Sequence, residues 1–188
     1  MDIIITAPHS GCIRGSQGRM CDLRAEYAAT RIGEYMQKRL PTAHISVAYS
    51  DVVRADIDLN RAPARYTKWR QQILESIDAS VAVDRKVLVL DIHSFPDTSK
   101  SFGYMEDGTV PSVVLLDFPG IRSNYEPPPF VRVLEASLAN DIIVTSLLSG
   151  ADAFLWEFNE NPMRSTNQVI DTVAESMQTY ALRISIET

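Results

Sequence analysis

Short apolar runs rich in β-branched residues alternate along this chain with longer segments whose apolar residues recur at helical spacing. Residues 3–5 read Ile-Ile-Ile, and residues 87–90 read Val-Leu-Val-Leu. Strands are predicted at about residues 2–7, 44–49, 86–92, 112–117, 141–147 and 152–158. Helices are predicted at about residues 22–39, 63–82, 129–139 and 165–184. Such alternation is typical of a sheet covered by helices, so we predict an α/β fold with three α/β/α layers and a mixed, mostly parallel sheet.

Length and composition favour a single domain over residues 1–188. A chain of 188 residues can bury roughly 70% of the surface that its unfolded form exposes. Its hydrophobic content of 45% and charged content of 22% are ordinary for a globular protein. Two long irregular stretches, at residues 8–21 and 93–111, stand out because compact domains rarely keep such loops without a function.

The charge of the chain excludes some classes of partner. With 18 basic and 24 acidic residues, the formal net charge is -6, which argues against nucleic acid because phosphate backbones attract basic surfaces. No apolar stretch approaches the roughly 20 residues of a membrane helix, so no membrane partner is expected. Met1 runs directly into the first predicted strand without the pattern of a secretory signal, and we expect a cytoplasmic protein. In a reducing compartment Cys12 and Cys21 are expected as free thiols or metal ligands, since disulfides are rare there.

Two of the three histidines occupy the same kind of position. His9 follows the apolar run 3–5 and His93 follows the run 87–90, each with a serine next to it. Loops at the carboxyl ends of parallel strands form the ligand-binding crevice of open α/β sheets. Glu157 ends another apolar run there, where an ionised carboxylate is costly without a partner or a task. Imidazole and carboxylate donors together predict a zinc site.

The third protein ligand of this zinc site comes from the segment after His9 in our prediction. Asp22 is the preferred ligand, and Glu26 is an alternative one turn further along. Cys12 and Cys21 remain open as well, because thiolates bind zinc well. The remaining histidine, His44, precedes a strand and is expected to be structural or solvated.

The segment RADIDLNRAPAR, residues 54–65, concentrates arginines in an acidic protein. Arg54, Arg61 and Arg65 present forked donors, with Asn60 between them, and such donors hold carboxylates through two parallel hydrogen bonds. A solvated basic helix start paired with Asp51, Asp56 and Asp58 also explains the pattern, and the spacing alone slightly favours it. The residues alone therefore leave both readings open.

Four short motifs together resemble a known family. PHSG (residues 8–11), DLNR (58–61), DIHS (91–94) and WEFN (156–159) occur in the order seen in the N-formylglutamate amidohydrolases, which are similar in plan to the zinc carboxypeptidases and aspartoacylases. The resemblance spans nearly the whole chain. It implies a phosphorylase/hydrolase-like fold and a zinc-dependent enzyme that cleaves an amide bond next to a carboxylate.

The resemblance also assigns roles to individual residues. It implies His9, His93 and an acid from the segment holding Asp22 as zinc ligands, and Glu157 as the catalytic base. It further implies that Asn60 and Arg61 hold a substrate carboxylate. Arg54 is the candidate for stabilising the oxyanion, by position only. The expected partner is a small molecule or peptide that bears a carboxylate.

The chain departs from the family pattern at two positions. The third residue after His9 is Cys12, so the His-x-x-Glu pair of the carboxypeptidases is absent, and Glu160 stands where the formylglutamate-type motif has an arginine. Substrate identity is therefore open between N-formylglutamate and a peptide, and a zinc carboxypeptidase or cell-wall peptide amidase is the alternative enzyme. A non-catalytic binding module on the same fold is the alternative from another class.

Overall fold

A computed structural model describes residues 1–11, 21–50, 52, 58–118, 125–136 and 140–186. The strands are β1 (Asp2–Ala7), β2 (His44–Tyr49), β3 (Val87–Phe95), β4 (Val113–Asp117), β5 (Arg132–Glu135) and β6 (Asp152–Asn159). The α-helices are α1 (Ala25–Arg39), α2 (Lys68–Val81), α3 (Asp141–Leu148) and α4 (Asn167–Ile186), and a 3-10 helix spans Ala62–Tyr66.

The strands form one six-stranded sheet in the order β2-β1-β3-β6-β4-β5. The first four strands of this order are parallel to one another. β4 runs antiparallel to β6, and β5 runs parallel to β4. The first residues of β4 and β5 therefore lie at the same end of the strands as the last residues of β1, β3 and β6.

Helices cover both faces of this sheet, which confirms the predicted α/β fold with three layers and a mostly parallel sheet. On one face, α1 and α4 bury apolar residues that include Ile32 and Met177 against Ile5 and Leu90. On the other face, α2 and α3 pack residues such as Ile77 against the sheet. None of the helices in the described residues is long and apolar enough to span a bilayer.

The prediction for residues 129–139 was wrong: the segment contains β5 (Arg132–Glu135) instead of a helix. Prolines occupy positions 127–129, and a residue that precedes proline is disfavoured in the helical region. The β-branched residues Val131 and Val133 then suit a strand, which pairs with β4 at the edge of the sheet.

The predicted strand at residues 141–147 was also wrong, because this segment is the helix α3. The side chain of Asn140 caps the helix by accepting hydrogen bonds from the backbone N–H groups of Ile142 at 2.8 Å and Ile143 at 3.2 Å. Ile142 and Ile143 are fully buried against the sheet. The cap and the tertiary packing outweigh the β-propensity of the local sequence.

Candidate metal centre and adjoining cavity

The topology brings His9, His93 and Asp22 to one edge of the sheet. β1 and β3 are adjacent and parallel, so His9, which follows β1, lies near His93, which belongs to β3. Asp22 precedes α1, and its backbone N–H donates a hydrogen bond of 2.9 Å to the carbonyl oxygen of His9. The exposed fractions of these residues are 1% for His9, 6% for Asp22 and 3% for His93.

The three side chains form a cluster that could hold a metal ion. One ligand atom from each residue lies within 4.8 Å of the other two. Asp22 Oδ2 lies 2.8 Å from His93 Nδ1 and 3.5 Å from His9 Nδ1. Ligand atoms of a tetrahedral zinc site with bonds near 2.0 Å are about 3.3 Å apart, so these separations need only small adjustments.

A carboxylate holds the other ring nitrogen of each imidazole. His9 Nε2 lies 3.0 Å from Asp58 Oδ1, and His93 Nε2 lies 3.0 Å from Asp91 Oδ2. Since a carboxylate only accepts hydrogen bonds, each Nε2 carries a proton and donates it. His93 Nδ1 also faces a carboxylate, that of Asp22 at 2.8 Å, so it donates there as well when no metal is bound. Both Nδ1 atoms then face Asp22, which is the arrangement that orients histidine ligands in many metal sites.

The buried charge of the cluster favours a cation. Burial alone raises the pKa of the Asp22 carboxyl, but the interactions with His9 and His93 outweigh it and hold this pKa well below its ordinary value of 3.8. Burial alone lowers the pKa of His93, whereas the carboxylates of Asp91 and Asp22 raise it well above 6.5. A proton on His93 thus compensates the buried carboxylates, and a metal ion would compete with this proton.

Two buried polar atoms beside the cluster make no hydrogen bond within the described residues. They are His9 Nδ1 and Asn60 Oδ1. The 3.5 Å separation from His9 Nδ1 to Asp22 Oδ2 exceeds the usual length of an N–H···O bond. A buried polar atom without a partner is costly, and a ligand bound at the cluster would remove this cost for His9.

A cavity of about 330 Å³ reaches this cluster at Asp22. Asp22 and Glu157 both line it, together with Glu160 and the aromatic pair Phe95 and Phe102. Glu157 is the register partner of His93 on the neighbouring strand β6, so the two side chains lie on the same face of the sheet. A small substrate in this cavity would contact the predicted base and a candidate metal ligand together.

The residues predicted to bind a carboxylate lie outside this lining. Asn60 Nδ2 is 3.0 Å from His93 Nε2, so Asn60 borders the cluster from the side opposite to Asp22. The side chain of Arg61 is 52% exposed, and its Nε lies 3.7 Å from Asp58 Oδ2. Arg54 and Cys12 lie outside the described residues, so their predicted roles stay predictions.

The structure narrows the choice of the third ligand. Glu26 is exposed on α1 and does not belong to the cluster. Cys21 is disulfide-bonded, which corrects the expectation of a free thiol in this loop. A disulfide sulfur is not the thiolate that zinc binds, so Asp22 remains the candidate for the third ligand among the described residues.

Two residues at the site were not predicted from the sequence. Asp58 was considered only as an ion-pair partner of nearby arginines, yet it holds His9 across 49 positions of the chain. Glu160 accepts hydrogen bonds from the backbone N–H of Leu23 at 3.2 Å and from Ser94 Oγ at 3.3 Å, and burial raises the pKa of its carboxyl. Asp58 could have been identified from the DLNR motif, because it is the first residue of this motif and Asn60 and Arg61 of the same motif were already candidate site residues.

A solved structure shares the fold of this chain. The crystal structure of the gene product Atu2144 from Agrobacterium tumefaciens is similar, with a TM-score of 0.62 and 16% identity over 100% of this chain and 92% of that chain. The CwlD amidase from Clostridioides difficile, solved in complex with the GerS lipoprotein, aligns with a TM-score of 0.43 and 10% identity over 98% of each chain. The first similarity shows a shared fold, and the second is too loose to support an inference. No protein-family model and no curated protein matches the sequence.

Proposed function

We propose that this protein is a zinc-dependent hydrolase that cleaves an amide bond next to a carboxylate, as the N-formylglutamate amidohydrolases do. The observation that carries this proposal is the convergence of three buried ligand atoms from His9, Asp22 and His93 within 4.8 Å. A cavity that Glu157 also lines opens at this point. Two histidines and one carboxylate are a ligand set of catalytic zinc sites, which leave the fourth position open.

The donor set fits zinc in its chemistry as well as in its spacing. Each imidazole has an Nε2–H that donates to a carboxylate, so each Nδ1 is the atom available to the ion. When bound, zinc supplies a Lewis acid that polarises the scissile carbonyl and lowers the pKa of a water molecule to about 7. Proton transfer and recognition of the substrate carboxylate are assigned to residues of the chain.

Glu157 is the candidate for moving the proton. Its carboxylate lies one strand away from His93 and lines the cavity from the face that His93 shares. In the proposed reaction Glu157 takes a proton from the attacking water and delivers it to the leaving amine nitrogen. This transfer returns the carboxylate to its starting state for the next turnover.

Carboxylate recognition is assigned to Asn60 and Arg61 in this proposal. Asn60 stands within 3.0 Å of the ring of His93, so a substrate amide at the cluster would be close to its side chain. Arg61 is the next residue, and within the described part of the chain its exposed guanidinium makes a long contact with Asp58. A forked donor of this kind can exchange that contact for a substrate carboxylate.

The proposal is tested by assaying the purified, zinc-loaded protein against N-formylglutamate, N-acetylglutamate and short peptides with a free terminal carboxyl. We expect release of an amine from at least one of these amides, loss of that activity on treatment with a chelator, and recovery on addition of zinc. Mass spectrometry of the products identifies the bond that is cleaved. A protein that binds about one zinc ion per chain but hydrolyses no member of the panel would contradict the proposal and favour a binding module.

The contact between Asp58 and His9 makes a separate prediction. Replacing Asp58 by asparagine keeps the size of the side chain but removes the charge that orients the His9 ring. We expect zinc affinity to fall by about 10- to 100-fold, the usual cost of losing an outer partner of a histidine ligand. Competition with a chromogenic chelator measures this affinity.

Asp171→Asn is the matched control for Asp58→Asn. Asp171 is also a partly exposed aspartate in an ion pair, with Arg31 at 2.7 Å, but it lies on α4 away from the cluster. Zinc affinity should not change in this control. Equal affinities in Asp58→Asn and wild type would show that Asp58 does not orient a ligand.

A further inference from the structure

A row of register partners crosses the sheet from the candidate metal cluster to the edge strand. His93 pairs with Glu157, Glu157 pairs with Val114, and Val114 pairs with Arg132. Register partners project to the same face of a sheet, and neighbouring strands are about 4.8 Å apart, so the backbones of His93 and Arg132 are roughly 14 Å apart. Arg132 therefore projects to the same face of the sheet as His93 and Glu157, and it lies at the same end of the strands as the cluster.

Arg132 carries a charge that no carboxylate in the described residues neutralises. Its Nη1 donates a hydrogen bond of 2.6 Å to the carbonyl oxygen of Tyr104, and its Nε is buried without a partner. A guanidinium has five N–H donors, so most of them are unused here. By contrast, Arg164 nearby is paired with Asp97, at 2.7 Å from Nε to Oδ1.

A glycine permits this placement of the guanidinium. Gly103 has a φ of 67°, and a Cβ atom built on it would lie 3.1 Å from Arg132 Nη2. Positive φ is a conformation that glycine adopts without strain. The loop backbone thus lies against Nη2 and Nε of Arg132 and holds Nη1 through the carbonyl oxygen of Tyr104. Because Nε is buried, the donors that remain for a ligand are the other N–H groups at the Nη1–Nη2 end of the guanidinium.

Arg132 lines a cavity of about 630 Å³. The lining includes Met105, Val110, Ser112 and Phe130, and also Glu106 and Asp107. Asp107 Oδ1 is occupied by hydrogen bonds of 2.9 and 2.7 Å from the N–H and hydroxyl of Thr109. Neither Glu106 nor Asp107 forms an ion pair with Arg132 among the described contacts, so the guanidinium of Arg132 remains available to an anionic ligand.

One loop borders both cavities. Residues 96–102 contribute to the lining of the smaller cavity at Asp22 and Glu157, and residues 105–110 contribute to the lining of the larger cavity at Arg132. The two cavities therefore lie along the same edge of the sheet. An extended chain of about four residues spans 14 Å, whereas the carboxylates of N-formylglutamate lie much closer to its formyl group.

We propose that Arg132 binds a distal carboxylate of an extended, peptide-like substrate whose scissile amide lies at the His9, Asp22 and His93 cluster. This inference rests on the proposed hydrolase function, and it assigns the substrate to peptides or acyl peptides that carry an acidic group on each side of the bond. Arg132 binds the end of the substrate that is distant from the scissile amide. Its guanidinium can donate two parallel hydrogen bonds to a carboxylate there.

The test compares succinyl-Ala-Ala-Ala with acetyl-Ala-Ala-Ala, which lacks the distal carboxymethyl group. Binding to the zinc-loaded protein is measured by isothermal titration calorimetry on proteins that carry Glu157→Gln, which prevents hydrolysis during the titration. Arg132 is either intact in these proteins (called wild type below) or replaced by glutamine. We expect wild type to bind the succinyl peptide about 10-fold more tightly, the usual worth of a hydrogen bond to a charged group. Arg132→Gln should bind both peptides with the affinity that wild type has for the acetyl peptide.

Two further variants keep the test decisive. Arg132→Lys retains the charge without the fork and should keep only part of the preference. Arg39→Gln makes the same substitution on the exposed end of α1 and should keep all of it. If Arg132→Gln does not fold, Arg132→Met takes its place with the same expected and overturning results.

Equal affinities for the two peptides in wild type, no binding of either peptide, or a preference that survives Arg132→Gln would each overturn the inference. Hydrolysis of N-formylglutamate with any of these results would leave the proposed function intact. Absence of all hydrolysis together with a preference that depends on Arg132 would instead contradict the proposed function alone. The two proposals therefore fail in different measurements.

Discussion

Replacing His93 by alanine is expected to abolish zinc binding and amide hydrolysis together. The ring of His93 donates to Asp91 through Nε2 and faces Asp22 through Nδ1, so its loss removes a candidate ligand and the imidazole that lies between these two buried carboxylates. We expect a loss in zinc affinity on the order of 100-fold or more, beyond the roughly 10- to 100-fold cost of losing an outer partner. Metal content after gel filtration measures this directly.

His44→Ala is the natural control for His93→Ala. His44 is the third histidine of the chain, and its side chain is 74% exposed. It is the first residue of β2, so it lies at the opposite end of the parallel strands from the cluster. This variant should keep about one zinc ion per chain and full activity. Full zinc occupancy in His93→Ala would refute the assignment of the cluster, whatever the activity of that variant.

Replacing Glu157 by glutamine is expected to lower kcat while the protein keeps its zinc. The amide has nearly the same shape as the carboxylate but cannot accept the proton of water, and a positioned general base contributes about 100- to 10,000-fold to a rate. The substrate identified in the assay panel is used, and kcat and KM are determined separately. KM should change little, because Glu157 acts on the proton rather than on the substrate carboxylate.

Glu175→Gln provides the matched substitution on the exposed surface of α4, and its kinetics should equal those of wild type. Zinc content measured on the same samples separates a loss of base catalysis from a loss of metal. Turnover by Glu157→Gln at the rate of wild type would assign the proton transfer to another group. Glu160, which also lines the cavity, would then be tested first.

The fold class could be read from local patterns because they report which face of each element is buried. Alternating apolar runs and helical stripes predicted β1, β2, β3, β4 and β6, as well as α1, α2 and α4. Residues 129–148 were misassigned, since the helix α3 depends on the cap from Asn140 and on packing of Ile142 against the sheet. Such contacts override weak local propensity.

The candidate site was partly predictable for the same reason. A histidine or an acid at the end of an apolar run is costly to bury without a partner, so His9, His93 and Glu157 stood out as residues. The prediction of Asp22 depended on the resemblance and on its place after the loop. Its approach to both imidazoles, at 2.8 and 3.5 Å, is a result of the tertiary structure.

Local sequence patterns were enough to predict which kinds of side chain are available to the site and at which end of the strands they lie. Which of these side chains meet depends on the packing of the whole sheet. The strand order β2-β1-β3-β6-β4-β5 places β1 beside β3, brings Asp58 to His9, and aligns Arg132 with His93 across three strand spacings. Strand pairing joins residues that are far apart in the chain, and local periodicity carries no information about which strands become neighbours.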